Sequence, residues 1–365
     1  MFVEIIYTPS GRGLVKDADL LKDTIRFLGH DVSVRVVRTQ NPVLSDLSCK
    51  WGGAKKRFLP KALAKLTDRF QIIVRRLLHS ETGNADLIIH LENIHPHHIS
   101  TRSPNWLIPN QEWFRPERTL YLKYFDRVLC KTITAKECFQ PLHHSVHYLG
   151  FSAPLAMNLD ELPLTRKKPV RILHVAGASL LKGTEAVLAA WKRNSHWPTL
   201  TLIANIPGIE KKLPGNVELK SNVREEELQA LWQEAIIAVI PSEVEGYGQV
   251  IAEAMCLGAV IITTDAPPMN ELVNADRGYL VPYSETERFR LGTRYRVSIA
   301  DLERAVNAAL EDSSAGRPQK ASNARDWARA NHKTFISQLG YFLDSLTPVC
   351  GNDQSIEQTQ TKVKA

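Results

Sequence analysis

Short apolar, β-branched runs alternate along this chain with stretches whose apolar positions fall at helical spacing, and the alternation occurs twice. FVEIIYT (2–8) reads as a strand, LVKDADLLKDTIRFLG (14–29) as an amphipathic helix and GHDVSVRVV (29–37) as a second strand. Strand, helix, strand in that order is a βαβ unit and predicts a parallel sheet. ADLIIHLE (85–92), NWLIPN (105–110) and FDRVLCKT (125–132) are the next strands, and ITAKECFQ (133–140) follows as a helix. LDELPLTRKKP (159–169) is polar, charged and proline-bearing, which predicts a linker.

The pattern then restarts. VRILHVAG (170–177), TLTLIAN (199–205), IIAVIPS (236–242) and AVIITTD (259–265) read as strands, with helices at 182–193 and 224–235 and a further helix in GYGQVIAEAMCLG (246–258). Two late helices are expected at roughly 299–310 and 321–346. The expected fold class is therefore α/β, with two Rossmann-like domains facing across a cleft. Open α/β sheets bind ligands at the carboxyl ends of their strands, so the cleft is the expected site.

Bulk properties narrow this only a little. With 365 residues the chain is long enough for two cores. It has no apolar run long enough to cross a bilayer, and its first residues lack the features of a signal peptide. Its five cysteines (49, 130, 138, 256 and 350) are scattered and form no CxxC pair, which predicts reduced thiols and a cytoplasmic setting. A net charge of +7 suits an anionic ligand, lipid or nucleic acid without choosing among them.

The most informative stretch is PSEVEGYGQVIAEAMCLGAVIITT (241–264), which places Glu245 and Glu253 around Gly246, Tyr247 and Gly248. Its loop follows a strand. Glycines there allow close backbone approach, and free N–H groups at the helix start can hold phosphate or sugar oxygens. An eight-residue step is close to two helical turns, which would put both carboxylates on one face with Glu253 about two turns inside the helix. Carboxylates facing a cleft suit pairs of hydroxyls, or serve as acid and base. The plainer reading is one glutamate favouring the helix dipole and a second one exposed.

This stretch resembles the E-x7-E motif of retaining GT-B glycosyltransferases, the large family 4 group. TPSGRG (8–13) is similar to the Gly-rich first loop of that family. HVAGASLLKGTEAVLAAW (174–191) is similar to its strand–Lys–Gly–helix element, and ARDWARANHKTF (324–335) to its late crossover helix. The resemblance covers roughly residues 2–346 and is strongest after residue 169. It implies an N-terminal acceptor-binding domain at 1–163, a C-terminal nucleotide-sugar domain at 169–322 and a helix at 323–346 crossing back to the first domain. Residues 350–365 are polar and non-periodic and are expected to be a disordered tail.

The resemblance also implies residue roles. Glu245 would contact hydroxyls of the donor sugar, and Gly246, Tyr247 and Gly248 would offer backbone N–H groups. Glu253 would bind the ribose, and Lys182 would clamp the diphosphate and stabilise its developing charge. Gly177, Ser179 and Glu271 would complete the donor side, and Gly11, Arg12 and Gly13 the phosphate side. The donor would be a UDP-sugar or GDP-sugar, with no cofactor and no metal.

The chain departs from the family pattern in three places. Gly177-Ala178-Ser179 holds no Arg, so Arg12 is a candidate to supply that charge from across the cleft. Asn110 stands where many members have a His. Pro267-Pro268 replaces a Gly-Gly before Glu271.

Two further features need weighing. HLENIHPHH (90–98) offers histidines and a carboxylate, but Pro96 breaks the spacing that a metal site would need. His90 and Glu92, at a strand end, are candidates to face the acceptor. Residues 50–79 carry nine Lys or Arg and one acid, interleaved with apolar residues at roughly helical spacing. That pattern suits an anionic membrane surface, which would add peripheral association at the inner membrane face. The alternatives are a helix packed on the first sheet and, less favoured, a patch steering a polyanionic acceptor such as nucleic acid. Other readings of the whole chain stay open: an epimerase or phosphorylase on the same fold, or a degenerate binding protein.

Overall fold

The computed structural model describes residues 1–37, 84–162, 171–312 and 315–346. The basic segment at 50–79, the tail at 350–365 and most of the expected linker lie outside these residues.

The first sheet forms from the buried runs the pattern marks out. β1 (Phe2–Tyr7), β2 (Asp31–Val36), β3 (Leu87–Glu92), β4 (Asn105–Pro109), β5 (Arg127–Cys130) and β6 (Val146–Tyr148) pair in the order β2-β1-β3-β4-β5-β6, all parallel. α1 (Arg12–Phe27) covers this sheet by burying Leu14, Ala18, Leu21 and Ile25, spaced at successive helical turns. α2 (Ile133–Phe139) follows β5, and the Thr132 side chain caps it by accepting from the Ala135 N–H.

The second sheet holds β7 (Arg171–Gly177), β8 (Leu200–Ala204), β9 (Val217–Lys220), β10 (Ala235–Ile240), β11 (Val260–Thr264) and β12 (Gly278–Val281). Its order is β12-β11-β10-β7-β8-β9, again all parallel. Helices α3 (Thr184–Arg193), α4 (Glu225–Glu234), α5 (Gln249–Cys256), α6 (Met269–Leu272) and α7 (Ile299–Glu311) connect its strands or pack on them.

In each sheet the strand order reverses once, between β1 and β3 and between β7 and β10. A reversal sends the two flanking connections to opposite faces and leaves a crevice at the carboxyl ends. The loops that leave β1, β7 and β10 carry Gly11, Ser179, Lys182, Glu245, Gly246, Tyr247 and Gly248.

α8 (Gly316–Asp344) is one continuous helix that starts on the second domain and ends on the first. Phe335 packs on Phe151, and Arg127 donates to the Phe342 carbonyl at 3.3 Å. One apolar cluster, including Phe151, Tyr247 and Phe335, runs through both domains. The stretch expected to be a linker is docked where it is described: Leu159 is buried, and Arg325 of α8 donates to the Leu159 and Leu162 carbonyls at 2.6 and 2.7 Å.

Besides the short elements β6, β9, β12 and α6, a hairpin has no counterpart in the sequence reading. β13 (Tyr283–Phe289) and β14 (Gly292–Val297) form an antiparallel hairpin after β12. Most of its outward positions are polar, and its tip reaches the first domain. Arg290 donates to the Trp113 carbonyl at 2.6 Å and stacks 4.9 Å above the Trp113 ring.

Candidate functional site

The loop from Pro241 to Gly248 leaves β10 at the reversal point of the second sheet. Glu245 lies in it, almost fully buried, and Lys182 donates to its Oε1. Lys182 sits at the end of the neighbouring β7 loop. Gly183 allows this approach: its φ is +70°, and a β-carbon there would collide with the Pro241 carbonyl. Behind the pair, His174 is buried between the Val239 carbonyl and Thr184 Oγ1, at 2.6 and 2.9 Å. Burial pushes its pKa down to about 4, so it is a neutral brace at ordinary pH.

Glu253 is the fifth residue of α5, which begins at Gln249 because Gly248 has φ +109° and cannot continue the helix. It therefore stands just over one turn inside the helix, not two. Glu245 lies outside the helix altogether, so helical spacing does not relate the two carboxylates. They occupy separate stations. Glu253 accepts from Lys16 of α1 at 2.5 Å, and Lys16 also meets Glu225 at 2.7 Å. Burial raises the Glu253 pKa, and Lys16 only partly offsets this.

The first domain meets the Glu245 loop through the turn after β4. Gln111 Nε2 donates to the Glu245 carbonyl at 2.9 Å. A β-carbon at Gly246 would lie 2.6 Å from Glu112 Oε1 and 2.7 Å from Asn110 Cγ, so a larger residue would have to push these two buried side chains aside. Asn110 is thus beside the Glu245 loop, with Glu112 close by. Burial raises the Glu112 pKa to about 8, with Glu245 and Glu92 adding to the shift.

The other expected residues are distributed as follows. Arg12 crosses the cleft and donates to the Val223 carbonyl at 2.7 Å, beside Gly11 and Gly13 at the start of α1. Glu92 ends β3 with φ +67° and accepts from Ser10 at 2.9 Å. That backbone costs a non-glycine residue on the order of 1–2 kcal/mol. Burial raises its pKa.

His90 does not reach the cleft. It is fully buried, packed on His95 and Phe125, and its Nδ1 accepts from the His95 N–H. His90 enters the layer that holds Phe125, two residues short of the strand end where Glu92 turns into the loop.

Gly177 accepts from the Asn205 N–H at 2.7 Å, and Ser179 Oγ accepts from the Leu181 N–H at 3.2 Å, so both shape the β7 loop. Tyr247 is buried, accepting from Asn331 of α8 at 3.1 Å. Glu271 accepts from the Ile133 and Thr134 N–H groups at 2.7 and 2.9 Å and from Thr134 Oγ1 at 2.6 Å. Its carboxylate thus holds the start of α2 across the domain boundary.

Sequence reasoning passed over Lys16, Gln111 and Glu112. Lys16 carried a signal, since it lies one helical turn after Arg12 on α1. Gln111 and Glu112 directly follow Asn110, but nothing in the sequence says that this turn meets Gly246.

A cavity of about 840 Å³ opens between the domains, lined by Arg12, Lys16, Leu155, Leu162, Glu225 and Glu253 among others. It combines an apolar wall with a charged end, which suits a ligand carrying both a flat ring and hydroxyls or phosphates. Among the described residues no group of three or more His, Cys, Asp or Glu side chains converges as a metal site would. Among them, too, no helix is long and apolar enough to cross a membrane.

Residues 163–323 match the family model described as Glycosyl transferases group 1. That span holds the whole second sheet, Lys182, Glu245 and Glu253. No curated protein matches the chain. Among solved structures, sucrose-phosphate synthase from Thermosynechococcus elongatus is similar, with TM-score 0.66 and 15% identity over 94% of this chain and 98% of that one. A glycosyltransferase from Rickettsia africae ESF-5 gives 0.65 and 11% over the same shares. Anabaena Alr3699/HepE in complex with UDP-glucose gives 0.62 and 16% over 94% of this chain and 100% of that one. Likeness across nearly the whole length shows the fold, which is GT-B.

Proposed function

We propose that this protein is a retaining glycosyltransferase that moves a sugar from a nucleoside-diphosphate sugar to an acceptor hydroxyl. The observation that carries the reading is the Lys182–Glu245 pair at the reversal point of the second sheet, in the span that matches the glycosyl transferases group 1 model. The nucleotide occupies the interdomain cavity, with Glu253 and its neighbours receiving ribose hydroxyls. The diphosphate lies toward Lys182, and the sugar against the loop of Glu245 and Gly246.

Charge then drives the chemistry. As the bond between the anomeric carbon and the phosphate oxygen breaks, negative charge grows on the diphosphate. Lys182 is held in place to neutralise it without reorganisation. The acceptor oxygen bonds to the anomeric carbon from the same face, and its proton passes to the departing phosphate oxygen. No metal enters this scheme. The acceptor approaches from the first domain, and residues 50–79 suit an anionic membrane surface carrying it.

The test is the thermal stability of the purified protein with UDP, GDP, ADP and their sugar conjugates, UDP-glucose first because a protein of the same fold binds it. At about a hundred times its dissociation constant a ligand stabilises by roughly 2.7 kcal/mol. One nucleotide should raise the melting temperature, and Glu253→Ala should abolish the rise. If no nucleotide shifts the melt, the reading fails.

A further inference from the structure

We propose that Glu112, flanked by Asn110, is a specificity-determining contact for the transferred sugar, meeting it from the first domain opposite Glu245. The inference rests on the glycosyl-transfer reading above.

Three buried side-chain atoms in this one turn have no hydrogen-bond partner: Asn110 Oδ1, Gln111 Oε1 and Glu112 Oε2. Glu112 is 3% exposed and Gln111 1%. Leaving such atoms unsatisfied is costly, and native proteins rarely do it three times in a row. A ligand rich in hydroxyls resolves the cost, because each hydroxyl both donates and accepts. The turn also has a fixed relation to the reaction centre. Gln111 is bonded to the Glu245 carbonyl, and Glu112 Oε1 lies in the space that a β-carbon on Gly246 would need. From the other side the hairpin closes over it: Gly292 lies close enough that a β-carbon there would come within 3.9 Å of the Glu112 N–H nitrogen.

The charges around Glu112 give the contact its chemical character. Glu245 in the donor loop and Glu92 at the end of β3 disfavour its ionised form, and Lys131 at the end of β5 opposes them. Burial is the largest influence; with the two carboxylates it outweighs Lys131 and the hydrogen bond from the Glu112 backbone, raises the pKa to about 8 and keeps the carboxyl mostly neutral at pH 7. A neutral carboxyl donates through one oxygen and accepts through the other. Glu245 faces the Lys182 ammonium as a hydrogen-bond acceptor. The two walls therefore ask different things of a sugar. The second domain needs a hydroxyl that donates, and the first needs one that receives a proton in a hydrogen bond.

Calorimetric titration separates these roles. UDP, GDP and ADP are titrated alone and as their glucose, galactose, mannose and N-acetylglucosamine conjugates, at pH 7 and pH 9, into wild type, Glu112→Gln and Glu112→Ala. The affinity for the nucleotide alone should stay within about twofold in both variants, which also shows that they fold. The extra affinity brought by the sugar should fall about tenfold in Glu112→Ala. In wild type it should fall between pH 7 and pH 9, while Glu112→Gln, always neutral, should keep it at both. A sugar increment untouched by Glu112→Ala overturns the proposal, and so does a wild type that binds no conjugate more tightly than its nucleotide. Failure to bind any nucleotide overturns the functional reading itself.

Discussion

Lys16 and Glu253 join the two domains through a hydrogen-bonded ion pair of 2.5 Å, with Glu253 almost fully buried. The lysine comes from the first helix of the chain and the glutamate from a helix over two hundred residues later. Burial works against the charge of Lys16, but Glu253 and Glu225 together outweigh it and raise its pKa.

Removing the lysine leaves Glu253 buried without its partner. Lys16→Met should cost about 1–3 kcal/mol at pH 7, less than a fully buried pair because Lys16 keeps some contact with water. The Glu253 pKa, already raised in the folded chain, would rise further. Between the unfolded value, roughly 4.3, and that folded value the native state holds a proton that the unfolded state releases. The deficit should therefore be present at pH 7 and shrink as pH falls toward the unfolded value. Urea unfolding at the two pH values checks this, and a deficit that does not change with pH would refute it.

Gly246→Ala tests the fit between the domains. The added methyl would sit 2.6 Å from Glu112 Oε1 and 2.7 Å from Asn110 Cγ. The buried ends of Glu112 and Asn110 have to yield, or the loop with them, at about 1–3 kcal/mol of stability. Turnover should drop by on the order of a hundredfold, since a shift of the Gly246 loop carries the neighbouring Glu245 with it. Circular dichroism and a melting curve confirm that the variant folds. Wild-type activity in this variant would show that the contact is dispensable.

Glu112 also leaves a mark on stability. Its folded pKa of about 8 lies above the unfolded value of roughly 4.3. Across that window the unfolded chain loses a proton that the folded chain keeps. Stability contributed by the neutral group is therefore full below the lower value and declines as pH rises toward the upper one. Glu112→Gln cannot titrate. The stability difference between variant and wild type should move in favour of the variant from pH 5 to pH 8 and then level off. A difference that is flat with pH would place the Glu112 pKa in the ordinary range.

The hairpin tip should detach when Arg290 is changed. Arg290→Ala removes its bond to the Trp113 carbonyl and its stacking on the Trp113 ring. An exposed cation–π contact contributes about 0.5–1 kcal/mol, so global stability should hardly change. Amide exchange at residues 110–114 should nonetheless speed up several-fold. Unchanged exchange there would mean that the tip does not hold the turn.

Periodicity and breakers carried most of the fold. Val3, Ile5 and Leu87 stand in apolar runs, and Leu14, Ala18, Leu21 and Ile25 repeat at the helical period, because those positions face the core. The short strands β6, β9 and β12 escaped, since three or four residues leave too little pattern to read. The hairpin escaped for a different reason. SETERF and TRYRV have little apolar content, and Arg290 takes a left-handed turn conformation that usually advertises itself as Gly or Asn.

The site was legible where one segment supplies both parts. Glu245 and the glycines after it lie in one loop, and Lys182-Gly183 in one turn. It was not legible where the parts come together only in space. The Glu112–Gly246 contact and the Glu271–Thr134 bond join residues more than a hundred positions apart, and a single sequence has no local signal for such a meeting. His90 shows the converse. A strand buried on both faces has no polar alternation to say which side chains point inward.

The way the second domain's acids find their partners bears on modularity. Glu253 relies on Lys16, and Glu271 on the start of α2, both from the first half of the chain. The span that carries the family signature, 163–323, is thus recognisable as a unit of descent without being self-sufficient as a piece of matter. Excised, it would bare two glutamates and an apolar flank to water. Chimeras that graft a foreign N-terminal half onto it would inherit the same debt unless the graft brings its own cation and its own helix start to those two positions.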